Sequence, residues 1–383
     1  MIFTYCRPVG ELISLSKHSQ ELEYAGFNSN YFASGTMALT SALKNAIRES
    51  AQRTQSKHQP EVLIPAYACP DIVSACIGAN VKPILVDLED NTPFQNERML
   101  RETLSEKTIA IVLVNFLGLS APDSLLELAR ELNLLVIEDR AQSFITPNEA
   151  SQLFGDYVIF SFGKGKPVSL LGGGALLKSI ELKTTPIEKP IKINKNFLKI
   201  QILIRAYNFL IKPLCYFWLL RVPGLSIGET QYRMPETPVG LDRYRIELLP
   251  ENITRQNKPK TKLFTAYFTL LRQLDGALTF PSATNITQPL LRFPALCKTK
   301  KDRDRLLAKL NNAGFGASAM YNKPLNEIEN IPLKNDQSSG RGNKYPKAKN
   351  FADRLIALPF HGGMSDRDIN SICRIIKAFF KED

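Results

Sequence analysis

The chain has 383 residues, 44% hydrophobic and 22% charged, enough apolar material for one large and one smaller domain, which excludes a disordered or fibrous protein. The 49 Lys and Arg against 37 Asp and Glu leave a formal charge of +12; this favours anionic partners without choosing among phosphorylated metabolites, nucleic acid and an acidic membrane surface. Six cysteines (Cys6, Cys69, Cys76, Cys215, Cys297 and Cys373) are scattered without CxxC pairs, a pattern of neither a zinc site nor a disulfide framework and one that fits a reducing cytoplasm.

The N-terminal stretch MIFTYCRPVGELISLSK lacks the charged lead, apolar core and small-residue cleavage site of a signal peptide. In YFASGTMALTSALKNAI, Ser34-Gly35-Thr36 opens an amphipathic helix whose first N–H groups could receive a phosphate; simple capping is the competing reading. From Glu61 to Lys178, the β-rich runs Val62–Pro65, Pro83–Asp87, Ile109–Phe116, Leu134–Asp139, Tyr157–Phe162 and Gly174–Leu177 alternate with helix-like stretches. Continuous apolar strands in that rhythm predict a mainly parallel α/β sheet buried on both faces, with ligands beyond the C-terminal strand ends.

Two of those ends carry chemistry. EDRAQS sets Asp139 and Gln142 three residues apart; a carboxylate there can pair with a protonated ring nitrogen, or cap a helix, or meet Mg²⁺. FSFGKGKPVSLLGGGALL offers Ser161, Lys164 and Lys166 in a loop closed by Gly172-Gly173-Gly174. A lysine held at a sheet edge and partly desolvated can form an imine, whereas phosphate binding and plain exposure are its rivals; GxxxxGK[ST] does not fit, since Pro167 follows Lys166.

Past Ser179 comes a lysine-rich link and then an apolar-basic stretch, Phe197–Gly224, broken by Lys199, Arg205, Lys212, Arg221 and Pro213 too often for a transmembrane span. Two amphipathic helices are predicted, packed on the protein's own body or a second copy, with interfacial membrane contact as the alternative. From Thr261, the helix KLFTAYFTLLRQL, the strand LLRFPAL, the helix KDRDRLLAKLNNAG, a short strand GASAMY and a last helix capped by Ser365 or Asp366 predict a small α+β domain. Lys334–Lys347 reads as a surface loop.

Taken in order, SGTMAL, IPAYACPDIV, PILVD, IEDRAQS, GDYVIFSFGKGK and GGGALL resemble the DegT/StrS family of pyridoxal-phosphate (PLP) dependent sugar aminotransferases, and GFGASAMYNKPL and RLIALPFHGGMSDRDI extend the likeness to the C-terminal part. The resemblance implies an aspartate-aminotransferase-like α/β fold (fold type I): a large PLP-binding domain over 1–260, with 179–250 as its apolar-basic segment and linker, and a small α+β domain over 261–383. It implies Lys166, five positions after Ser161, as the lysine that carries PLP; Asp139 as the partner of the ring nitrogen; Gln142 near the ring hydroxyl; and Ser34, Gly35, Thr36 and Ser161 around the phosphate. Where the family often places a stacking aromatic, this chain has Cys69, with Tyr67 the nearest aromatic ring; Tyr321 and His361 sit in loops that could face substrate. A cross-subunit phosphate motif is not recognisable beyond Tyr232-Arg233-Met234.

The implied reaction moves an amino group from an amino acid donor, glutamate in this family, to a keto group, with a nucleotide-linked keto sugar as the expected acceptor, in a cytoplasmic homodimer. A lipid-linked or otherwise apolar ketone at a membrane surface is the second reading. A non-catalytic family member acting as a binding or regulatory protein is the third. Dispersed Lys and Arg with no recognition motif argue against nucleic acid, and no metal site is expected.

Overall fold

The computed structural model describes residues 10–19, 22–53, 58–182, 190–191, 196–219, 230–282, 289–333 and 344–381. Strand β1 (Phe27–Phe32) and helix α1 (Gly35–Arg53) lead into β2 (Glu61–Pro65), α2 (Asp71–Gly78), β3 (Lys82–Val86), α3 (Glu97–Thr103), β4 (Thr108–Val114), α4 (Asp123–Glu131), β5 (Leu135–Arg140), β6 (Tyr157–Ser161) and β7 (Gly174–Ser179). All seven strands form one sheet in the order β1-β7-β6-β5-β4-β2-β3, in which β2 to β6 run parallel and β7 runs against both of its neighbours.

The six runs expected from the sequence are strands β2 to β7. Strand β1 was not anticipated: Asn28, Ser29 and Asn30 have little strand propensity, and the segment is ordered by pairing along the whole of β7 at the sheet edge. Alternation along each strand splits the apolar residues between two faces. Val62, Ile64, Val112, Ile137 and Ile159 pack under α1 and α2, while Leu63, Ile111, Leu113 and Val136 join the opposite layer.

The chain continues through α5 (Phe197–Leu210), α6 (Pro213–Leu219), α7 (Arg243–Gln256), α8 (Thr261–Arg272), β8 (Leu278–Thr279), β9 (Phe293–Cys297), α9 (Lys300–Asn312), α10 (Pro346–Arg354), β10 (Leu355–Leu358) and α11 (Asp366–Phe379). Both helices expected after Phe197 are present up to Leu219; residues 220–224 lie outside the described residues, as do 334–343 of the expected surface loop. Helix α7 was hidden in the sequence by Pro250, which costs an interior backbone hydrogen bond; the buried Tyr244, Leu248, Leu249 and Ile253 hold it regardless, with Asp242 capping it through Arg245 N at 3.0 Å.

A second, antiparallel sheet has the order β10-β9-β8. GASAMY contributes only a single bridge, Ser318 to Ala357, instead of the expected strand, because Met320 turns the backbone into the left-handed region at φ 54°. That turn sends Tyr321 back toward the large sheet. The last helix is capped by Ser365, whose hydroxyl accepts from Asp368 N at 3.2 Å.

Candidate active site

One cleft lies at the C-terminal ends of β4, β5 and β6 and the start of α1, lined by Gly35, Thr36, Cys69, Asp71, Asp139, Gln142, Ser161 and Lys166, with Leu39, Ile72, Val114, Ala141 and Ile159 as its apolar wall. Period-two alternation in β5 decides what reaches it. Asp139 points into the cleft, whereas Glu138 and Arg140 point the other way and pair with each other, both buried. Glu138 also accepts from Phe154 N and Gly155 N at 3.0 and 3.1 Å, so of the two acids that open EDRAQS one is a structural carboxylate and the other a cleft carboxylate.

Asp139 Oδ1 accepts from Ala141 N at 2.8 Å, and Oδ2 has no donor among the described residues. Burial raises its pKa above the ordinary carboxylate range; the Ala141 N–H bond and the charge of Lys166 act against that rise without cancelling it. A buried carboxylate of this kind is completed by a cationic donor, and a protonated pyridine nitrogen is one.

The N-terminus of α1 meets β6 at very short range. A Cβ on Gly35 would fall 2.7 Å from Ser161 Cβ, so only glycine lets the helix start approach the strand this closely. Gly35, Thr36 and Ser161 thereby come together as N–H and hydroxyl groups around one corner of the cleft, a cradle suited to a phosphate. Ser34 does not line it; its hydroxyl caps α1 by accepting from Met37 N at 3.1 Å, the competing reading of that residue.

Lys166 sits in the loop between β6 and β7, half-buried, while Lys164 is exposed. Phe162 N donates to Gly173 O and Leu170 N to Phe162 O, both at 2.8 Å, and Gln256 accepts from Ser169 N at 2.7 Å, so the loop is tied at both ends. Lys166 also lines a second, smaller cavity with Gly10, Glu11, Lys260, Leu290, Leu291 and His361. His361 is buried and lines that cavity with Lys166.

Three side chains link the C-terminal part to the cleft. Gln142 Oε1 accepts from Leu117 N at 2.9 Å and Nε2 donates to Tyr321 Oη at 2.7 Å; the Tyr321 hydroxyl in turn bonds Cys69. Desolvation holds the Tyr321 phenol well above its usual pKa, so it is a neutral donor. Burial likewise pushes the Cys69 thiol up to about 11, which makes it a packing and hydrogen-bonding group and not a nucleophile. Tyr67 stands behind the cleft wall. Its ring packs edge-on against Phe116, Tyr321 and Phe351, and its hydroxyl donates to Tyr321 O at 3.0 Å, so of the two residues expected beside the ring it is Cys69 that lines the cleft.

Sequence reasoning missed two polar groups. Asp71 lines the cleft from the first turn of α2; it stands in ACPDIV, where only Cys69 drew attention. Arg292 follows two residues of the Lys166 cavity, donates to Ser318 Oγ at 2.8 Å, pairs with no carboxylate among the described residues, and is drawn down to about 10 by burial. No signal in LLRFPAL marked it out. Tyr232 and Arg233 lie along α2, with Ser74 Oγ bonding Arg233 O.

Sheet order, cleft position and the chemistry of its lining define a fold type I PLP-dependent aminotransferase, and the cleft residues fit the cofactor: a cradle at a helix start, a buried carboxylate short of a cation, and a lysine between them. The chain belongs to the DegT/DnrJ/EryC1/StrS aminotransferase family, whose sequence profile matches residues 21–189 and 221–377. It is 22% identical to the UDP-2-acetamido-2-deoxy-3-oxo-D-glucuronate aminotransferase of Pseudomonas aeruginosa, over 82% of this chain and 77% of that one. It is 20% identical to the GDP-perosamine synthase of Escherichia coli O157:H7, over 84% and 79%. Among solved structures, a DegT DnrJ EryC1 StrS aminotransferase from Brucella abortus superposes with a TM-score of 0.62 at 20% identity, over 92% of this chain and 86% of that one. NtdA from Bacillus subtilis with bound cofactor PMP gives a TM-score of 0.65 at 19% identity, over 92% and 73%.

Proposed function

We propose that this chain is a cytoplasmic, homodimeric aminotransferase that moves the amino group of an amino acid, glutamate as the first candidate, to the keto group of a nucleotide-linked sugar for surface polysaccharide or related glycan synthesis. The observation that carries the reading is the convergence of Lys166, Asp139, Gln142, Ser161, Gly35 and Thr36 on one cleft. Relatives named for UDP- and GDP-linked sugars support the acceptor, the surplus of positive charge suits a pyrophosphate, and five described cysteines that are all free suit a reducing compartment.

In this reading Gly35, Thr36 and Ser161 would hold the cofactor phosphate, Asp139 would keep the ring nitrogen protonated, and Gln142, fixed by Leu117 and Tyr321, would meet the ring hydroxyl, with Cys69 in the cleft wall. Bound there, PLP supplies the electron sink for the substrate carbon that carries the amine. Lys166 Nζ anchors the cofactor and, once displaced, takes and returns the proton at that carbon as general base and acid. The donor leaves as a keto acid and the acceptor leaves as an amine. Tyr321, through Gln142 and Cys69, and His361, which shares the second cavity with Lys166, bring the C-terminal part to the site, and the acceptor is expected to approach from there.

A lipid-linked or otherwise apolar ketone is the second reading, favoured by the exposed apolar helices beside the second cavity. The test is a screen of nucleotide-linked keto sugars and a lipid-linked ketone with glutamate as donor, read by mass, on wild type and Lys166→Ala. Wild type should be yellow, with the cofactor fixed on Lys166 by borohydride, and Lys166→Ala should lose this band and roughly 10²–10⁴-fold or more of the turnover. Equal spectra would remove Lys166 from its role. Light scattering reads the dimer.

A further inference from the structure

Helices α5 and α6 bury one side on the chain's own body. Ile200, Ile204, Tyr207 and Ile211, spaced four, three and four residues apart, enter the core beneath them. Asn208 locks α5 in place by accepting from Ile13 N at 2.9 Å and donating to Ile13 O at 2.8 Å. The opposite side is also apolar: Leu198, Ile202, Leu203, Phe209, Leu214 and Trp218 are about half exposed or more, from 49% to 65%. Soluble surfaces rarely gather large apolar side chains in this way without a partner.

Three exposed cations, Lys199, Arg205 and Lys212, lie in and beside this apolar face, and none forms an ion pair among the described residues. The sequence holds no Asp or Glu between Asn196 and Leu219. An isologous contact with a second copy would set these like charges against one another across the two-fold axis. Among the described residues no single helix is long and apolar enough to cross a membrane, and the geometry of the α5–α6 pair favours an in-plane seat over a span. The pair bends by 95°, α5 has 14 residues and covers only about 21 Å at 1.5 Å per residue, and its other side is already occupied. An apolar face with a tryptophan, ringed by cations and free of acids, matches the headgroup region of an anionic bilayer.

We propose that α5 and α6 form an in-plane anchor that seats the enzyme on an anionic phospholipid surface. The anchor adjoins the site: the Tyr207 hydroxyl lies 2.6 Å from where a Cβ on Gly10 would stand, and Gly10 lines the Lys166 cavity. Tyr207 is on the buried side of α5, so this contact joins the inner side of the anchor to the wall of that cavity. The inference rests on the helices alone and holds for either acceptor.

Trp218 is the only tryptophan in the chain and supplies the readout. The PLP-loaded full-length enzyme is mixed with vesicles of phosphatidylcholine, with and without phosphatidylglycerol, and followed by flotation and Trp218 emission. Flotation and a blue shift with the anionic vesicles are expected, both weakening as salt rises. Lys199→Gln/Arg205→Gln/Lys212→Gln should lower the affinity roughly a hundredfold, about fivefold for each cation near an anionic surface. Ile202→Asn/Phe209→Asn should abolish binding while leaving the cofactor absorbance and the oligomeric state unchanged. The proposal is overturned if neither vesicle floats the enzyme, if the Asn variant binds like wild type, or if that variant dissociates an oligomer, which would assign the face to a second copy.

Discussion

Asp139 is the residue on which the chemistry and the stability of the protein pull in opposite directions. Burial raises its pKa, so without cofactor the folded chain holds this proton more tightly than the unfolded chain. Folding stability then falls as pH rises from the ordinary Asp range through the raised value, and the penalty is fully present above it. Asp139→Asn carries no such penalty. The cofactor-free variant should be more stable than wild type near neutral pH, with the advantage closing as pH drops below about 4, and urea titrations at several pH values measure this. Its turnover should fall by two or more orders of magnitude, as for the loss of a group that acts on the transition state. A wild type that is the more stable at neutral pH would contradict the reading. Arg292 gives a second prediction. A desolvated guanidinium whose one hydrogen-bond partner among the described residues is a neutral hydroxyl suits a substrate carboxylate, so Arg292→Gln should raise KM for the amino donor more than it lowers kcat, seen in steady-state kinetics with both substrates varied.

Much of this chemistry was legible in the sequence because strand ends are. Asp139, Gln142, Ser161 and Lys166 follow apolar runs whose period and length mark them as buried strands, and the cleft forms where those strands stop. What stayed hidden depends on tertiary contact. Tyr67 and Cys69 are two residues apart, and only packing against Phe116 and Phe351 decides which one lines the cleft. Ser34 and Thr36 are equally good hydroxyls, yet Ser34 is spent on Met37 N. The division of Glu138 from Asp139 follows from strand alternation, and the sequence reading already gives the chemistry to Asp139 alone.

At the scale of elements, α1 fits closely against β6 and β7. A Cβ on Gly174 would fall 2.7 Å from Gly35 Cα, so two glycines face each other where the helix starts. Gly35→Ala must move the helix start or Ser161, which by the usual cost of overpacking destabilises by about 1–3 kcal/mol. The same shift opens the phosphate corner, so the cofactor should dissociate more readily from this variant, measured by loss of absorbance on dialysis, than from a control such as Ala51→Gly on the exposed end of α1. Strand β1 and helix α7 show why some elements escape a reading of pattern. One takes its conformation from a partner strand 142 to 152 residues further on (Phe32 pairs with Gly174 and Phe27 with Ser179), and the other keeps a proline that local rules would exclude.

On the scale of the whole molecule, we propose the division near residue 260 as a boundary of motion and not of folding. One apolar core holds Leu63, Ile111 and Val136 of the large sheet together with Leu270, Phe293, Ile356 and Ile372 of the C-terminal part. The turn after β4 reinforces it: Gly118, with φ 94°, leaves a Cβ position 3.0 Å from Leu290 Cα, and Leu291 N donates to Leu117 O at 2.9 Å. Residues 1–260 expressed alone would uncover that core. The fragment should aggregate or bind a hydrophobic dye, and the intact chain should unfold in one transition by circular dichroism and by cofactor absorbance; a soluble, folded fragment would argue for independent domains.

The loop that carries Lys166 fixes one further property of the gene. Phe162, Leu170, Gly172 and Gly173 are tied to one another and to Ala33, and Ser169 is clamped by Gln256, so the number of residues from Ser161 to Gly174 sets where the amine stands relative to Asp139. Lys164, exposed at the tip, can vary in its letter. A three-nucleotide insertion or deletion there keeps the reading frame, yet it is expected to shift the amine away from Asp139.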